Sequence, residues 1–233
     1  MIMPIRAILC VFLLFAPLLH AQENYLERPV SDFRSSGAGL TETLLTFAHQ
    51  QNLRIAIEYV DRDSMRKPIA VNLQNNTVGE GLKAILRNGH GYSWRKRNGL
   101  IEIRNERGSK RADRQLDTVI PVFEIPANES AKVASTMLWW NLQMKLDPTV
   151  KGFGGDIPEG AERSTVTPAT LHNRTVREIL AYIVLNSHAE GWIVAGPPEC
   201  LGFTPYCGLW LLVETPPSAP HYESLLEMIQ KNL

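Results

Sequence analysis

Cys200 and Cys207 are the two thiols left once the first 21 residues are set aside. Two thiols can form a disulfide, bind metal or act as nucleophiles. No histidine lies beside them at zinc spacing, so the expected chemistry is a disulfide stapling one loop. Asp156, Glu159 and Glu162 form an acidic cluster of the type used in acid–base catalysis. They follow Gly152-Phe153-Gly154-Gly155, a loop-like stretch in which carboxylates are normally solvated. That stretch lacks the Gly-Lys-Ser/Thr ending of a phosphate cradle. Gly-x-Ser-x-Gly, His-Glu-x-x-His and Rossmann glycine patterns do not occur. The expectation is no enzyme, with no catalytic residue, no metal and no cofactor. Trp139, Trp140, Phe203 and Tyr206 are the candidate partner-binding residues. Phe203 and Tyr206 sit at the tip of the cysteine loop. Neighbouring helix positions point about 100° apart, so Trp139 and Trp140 do not easily enter one core. Contact of at least one of them with the other copy or a partner, and packing within the chain under the Gly152 loop, stand as equal alternatives.

The chain also repeats itself. Residues 73–94 fall without a gap on residues 171–192. Ten positions coincide: Leu73/Leu171, Asn75/Asn173, Thr77/Thr175, Val78/Val176, Glu80/Glu178, Leu82/Leu180, Ile85/Ile183, Asn88/Asn186, His90/His188 and Trp94/Trp192. Matched residues report what a repeated fold needs. Thr followed three residues later by Glu is a capping box, in which each side chain satisfies a backbone N–H at a helix start. The matched Asn suits a strand-to-helix turn. The matched His follows a helix end, where a partly positive ring interacts well with the helix dipole. Each matched Trp opens a strand and fills core. All of these are structural roles.

Elements can be read around these residues. In the first copy, the spacing of Leu44, Leu45, Phe47 and Ala48 predicts a helix over 41–51. Leu53, Ile55 and Ile57 alternate on one face of a half-buried strand, and Pro68 to Leu73 alternates again. A capped helix to about Arg87 and a hairpin around Asn98-Gly99 follow. In the second copy the same order predicts a helix over 130–140 and an alternating strand from Leu142 to Asp147. A strand over 167–171, a capped helix to about Leu185 and a hairpin of 192–194 with 209–214 complete it. Val122 to Ile125 supplies a leading strand, matched weakly near Ser31-Asp32-Phe33. The expected class is α+β: two tandem, small sandwich-like repeats, each about β-α-β-β-α-β-β.

The ends and joints read differently. Arg6 followed by the apolar run from Ala7 to Leu19, with Leu19-His20-Ala21 as cleavage site, marks residues 1–21 as a signal peptide. Retention as an uncleaved anchor is the alternative. The remaining domains are 22–104 for the first repeat and 105–116 for a basic linker. Residues 117–214 form the second repeat with its stapled hairpin loop, and 215–233 a Pro-rich tail with a short helix. Lys and Arg number 24 and Asp and Glu 24, a balance that argues against a nucleic-acid partner.

Phe123-Glu124-Ile125-Pro126-Ala127, then helix, strands and a Thr-Val-x-Glu-x-Leu helix start, resembles the secretin and TonB N-terminal short domain. The resemblance covers roughly residues 31–104 and 117–214. Phe33-Arg34-Ser35-Ser36 departs from the Pro-containing opening. The second copy departs again by an insertion around Gly152 to Glu162 and a longer last hairpin. Neither a pore nor a barrel accompanies the pair. The resemblance implies a periplasmic, non-catalytic protein-protein docking module, accessory to an envelope transport or signalling assembly. Its mature form would be soluble, without a membrane span, and prone to self-association through sheet edges. The alternative is a periplasmic small-ligand or glycan sensor binding in the cleft between the repeats.

Overall fold

The computed structural model describes residues 25–60, 62–89, 91–106, 115–146, 148, 165–195 and 209–212. The segment read as a signal peptide, residues 107–114, the Gly152 stretch, the cysteine loop and the tail lie outside them. The fold is mixed α+β. The N-terminal half runs β1 (Phe33–Gly39), α1 (Leu40–Gln50), β2 (Ile55–Val60), α2 (Arg62–Arg66), β3 (Pro68–Leu73), α3 (Val78–Leu86), β4 (Tyr92–Arg97) and β5 (Leu100–Asn105). The C-terminal half runs β6 (Val119–Ile125), α4 (Ala131–Leu146), β7 (Ala169–Thr175), α5 (Val176–Leu185), β8 (Gly191–Ala195) and β9 (Leu209–Leu212).

The matched Thr, Glu and Asn do the local work expected of them. Thr77 accepts from the Glu80 amide while Glu80 accepts from the Thr77 amide, and Thr175 and Glu178 repeat the exchange at α5. Asn75 and Asn173 take positive φ values of 58° and 50°. That left-handed turn is one that asparagine tolerates better than most residues. Asn98 and Asn128 do the same, and Asn98-Gly99 turns β4 into β5. Thr77→Ala and Thr175→Ala are each expected to cost about 1 kcal/mol, measured as a drop in urea-unfolding free energy.

One central sheet joins the halves, in the order β4-β5-β2-β8-β9. Its middle pairs, β5 with β2 and β2 with β8, are parallel, and its outer pairs are antiparallel. Successive strand residues face opposite sides, and both sides are covered. Ile55, Ile57, Ile101 and Ile103 meet Leu44, Phe47, Leu82 and Ile85 of α1 and α3 in one core. Ala56, Leu100, Trp192 and Val194 meet Leu138 and Leu142 of α4 and Ile179 and Ile183 of α5 in the other. The half-buried strand expected at 53–58 is therefore buried on both faces, with Glu58 only 1% exposed. Two ribbons, β1 with β3 and β6 with β7, complete the fold.

The strand expected from Leu142 to Asp147 is a correction. Residues 142–146 continue α4, and Asp147 lies outside the described residues. Ala131, Ala134, Leu138 and Leu142 are buried at helical spacing, which extends one apolar helix face. Met144 and Leu146, which a strand would have buried beside Leu142, are exposed.

Candidate interaction surfaces and the seam between the halves

The seam is where the two halves meet at β2 and β8. Alternation along β2 turns Glu58 toward the C-terminal half, and along β5 it turns Glu102 and Arg104 the same way. Arg177, in the first turn of α5, meets Glu58 at an ion-pair contact with both side chains 1% exposed. Arg104 approaches the other Glu58 oxygen at 3.2 Å, and Asp117 accepts from the Arg177 Nε at 3.1 Å. Arg95 donates to the nearly buried Glu102 at 2.8 Å. The two contacts to Glu58 are close ion pairs without aligned hydrogen-bond geometry. Burial lowers the Arg177 pKa to about 10, so the guanidinium stays charged at neutral pH.

A second set of contacts pins the turn after α5. Arg54 donates to the Ala189 carbonyl, and the Ile55 amide donates to the Glu190 carbonyl at 3.0 Å. His49 Nδ1 lies 2.5 Å from a Glu190 carboxylate oxygen. Gly191 then passes so close to β2 that a Cβ there would overlap the Ile55 carbonyl.

None of the seam's charged residues was singled out from the sequence. A carboxylate on an alternating strand reads as solvent-facing when the covering half is unseen. The available signal was the mismatch of Arg177 with Gly79 inside an otherwise matched helix start.

Sequence-derived candidates fall in several places. Trp139 packs against the second core, and both Trp139 and Trp140 are partly exposed. Cys200, Cys207, Phe203 and Tyr206 lie outside the described residues, as do His90, Asp156, Glu159 and Glu162. His188 is exposed. Trp192 is buried in the second core, whereas Trp94 is partly buried against the first. Among the described residues no group of three or more His, Cys, Asp or Glu could hold a metal ion.

Sheet edges supply the remaining surfaces. β4 ends the central sheet and carries Arg95, Lys96 and Arg97 in succession. Charges of this kind protect an edge against indiscriminate pairing. β1 is irregular between Ser36 and Gly39, and β6 contains Pro121, two further ways of blunting an edge. β3, Pro68-Ile69-Ala70-Val71-Asn72-Leu73, carries no charge and has β1 as its single strand neighbour among the described residues. Its odd-numbered residues are buried, while Ala70 and Asn72 face solvent.

The Glu178 carboxyl is held below the usual carboxylate pKa, first by the Thr175 backbone amide and then by the Thr175 hydroxyl and Arg174. A carboxylate with a lowered folded pKa stabilises the fold above its unfolded value and loses that contribution as pH falls through the folded one. Thermal stability is therefore expected to drop as pH falls below about 4.5. Glu178→Gln should flatten that part of the melting-temperature profile.

No helix among the described residues is long and apolar enough to cross a membrane. No protein-family model, no curated protein and no solved structure matches the chain.

Proposed function

We propose that this protein is a non-catalytic docking module of the cell envelope, and that it recruits a protein partner by strand addition. The observation that carries this reading is the β3 edge. It is a regular, uncharged, alternating strand of six residues with one side unpaired among the described residues, whereas β4 and β7 carry charge, β6 has an internal proline, β1 is irregular and the other uncharged edge, β9, has four residues. An added strand gains main-chain hydrogen bonds along such an edge. The likeness to the secretin and TonB N-terminal short domain supports the same reading, as does the export signal for a periplasmic location. The seam, where a ligand sensor would need a cleft, is filled by the β2–β8 pairing and the Glu58 ion pairs.

Photo-crosslinking in the native envelope from probes at the solvent-facing Ala70 and Asn72 tests the proposal. A discrete heterologous protein captured from both positions, with capture from position 72 lost in Ala70→Pro, is the expected result. Capture of a second copy alone, or crosslinks confined to the chain, would remove the docking reading from β3.

A further inference from the structure

The two halves contribute unequally at the seam. In the N-terminal core, Ile193 is the single clustered buried residue that comes from the other half among those described. The seam-facing charges of that half are also paired at home, Glu58 with Arg104 and Glu102 with Arg95. The C-terminal half borrows instead. Ala56 and Leu100 belong to its core, and β2 is the inner neighbour of β8. Arg177 keeps the half-exposed Asp117 in its own half and crosses the seam for the buried Glu58. Residues 142–146, which the repeat would make the half's own counterpart of β2, are helical.

From this asymmetry we propose that the C-terminal half is a detachable unit seated on the β2 edge, which opens as one piece while the N-terminal half stays folded. Opening leaves Glu58 with Arg104 and Glu102 with Arg95, while Arg54 gives up the Ala189 carbonyl and His49 gives up Glu190, and it removes one side chain from the N-terminal core. For the C-terminal half it breaks the β2–β8 ladder, uncovers Trp192 and strips Glu58 from Arg177. Free energies of opening differ between such cooperative units, and hydrogen exchange reads them separately. The opened form newly exposes the β2 edge and the Glu58 carboxylate, which together suit an extended strand carrying a cation.

Residue-resolved hydrogen exchange on the full chain, with urea raised in steps, is the test. Amides of α5 and β8 are expected to share one opening energy below that of α1 and β5. Arg177→Met removes the cation from the closed state, where Glu58 stays buried, and leaves the opened state little changed. It should speed exchange in α5 and β8 by about tenfold or more while α1 and β5 keep their wild-type rates. A single opening energy for both groups in the wild type overturns the proposal. So does an Arg177→Met effect spread equally over α1 and α5. If Arg177→Met does not fold, the wild-type series decides alone.

Discussion

Gly191→Ala is expected to unseat β8 from β2 and to destabilise the chain by about 3 kcal/mol or more, at the upper end of overpacking costs. The reason is a backbone approach. A Cβ at 191 would overlap the Ile55 carbonyl oxygen and carbon, and neither can move without breaking the parallel ladder on both sides of β2. A flexible side chain in the way could rotate aside, but a carbonyl in a central strand cannot. Gly79→Ala is the matched control. A Cβ there meets its nearest atoms at 3.4 Å and beyond, in ordinary contact. Position 79 lies inside α3, where alanine is the better helix former by roughly 0.8–1 kcal/mol, so this variant should equal or exceed the wild type. Urea unfolding of both variants checks the pair. A wild-type midpoint for Gly191→Ala would mean that β2 and β8 are not in register as described.

Glu58→Ala should be comparably damaging, at about 3–5 kcal/mol, because it breaks a buried ion pair from one side. Arg177, 1% exposed, would keep Asp117, which is half-exposed, and lose its fully buried anion. Arg104 would lose the same partner. The cost belongs to stranded charge and not to the value of the pair, so replacing the set should restore much of the loss. Glu58→Leu combined with Arg177→Met and Arg104→Met is expected to lie closer to the wild type than Glu58→Ala does. Denaturation midpoints of the single and triple variants, compared at low and high salt, separate the two explanations. Screening acts weakly on buried charge, so the Glu58→Ala deficit should persist at high salt. If the triple variant falls below the single one, the network stabilises the seam outright.

Much of the local structure was legible along the chain because local chemistry decides it. Thr77 with Glu80 and Thr175 with Glu178 cap the helices they precede. Asn98-Gly99 makes the hairpin turn, and Pro68–Leu73 is a strand with its apolar residues inward. Each depends on neighbours within a few residues. The reading of Leu142–Asp147 went the other way because a short stretch of alternating apolar residues fits a strand or one side of a helix equally. Burial broke the tie: Leu138 and Leu142 lie one helical turn apart on the face of α4 that meets the second core. Trp139 packs against that core and stays partly exposed.

The residues that join the halves were invisible for a physical reason. Glu58, Glu102 and Arg104 alternate with buried isoleucines, a pattern that means solvent on the second face of any isolated sheet. Glu58 and Glu102 are buried, and Arg104 partly so, because the other half of the chain lays α4 and α5 across that face. Pairing between distant strands and the burial of a charge depend on which surfaces meet, and no local spacing encodes that. Sequence alone thus settled the caps, the turns, the inward face of strands such as Pro68–Leu73 and the α+β class, all matters of short-range sterics and hydrogen bonding. Tertiary structure decided that one sheet serves both halves, that β2 lies at its centre, and that Arg177 finds its counter-charge across the seam. Those outcomes follow from long-range burial, which two stretches of chain determine only together.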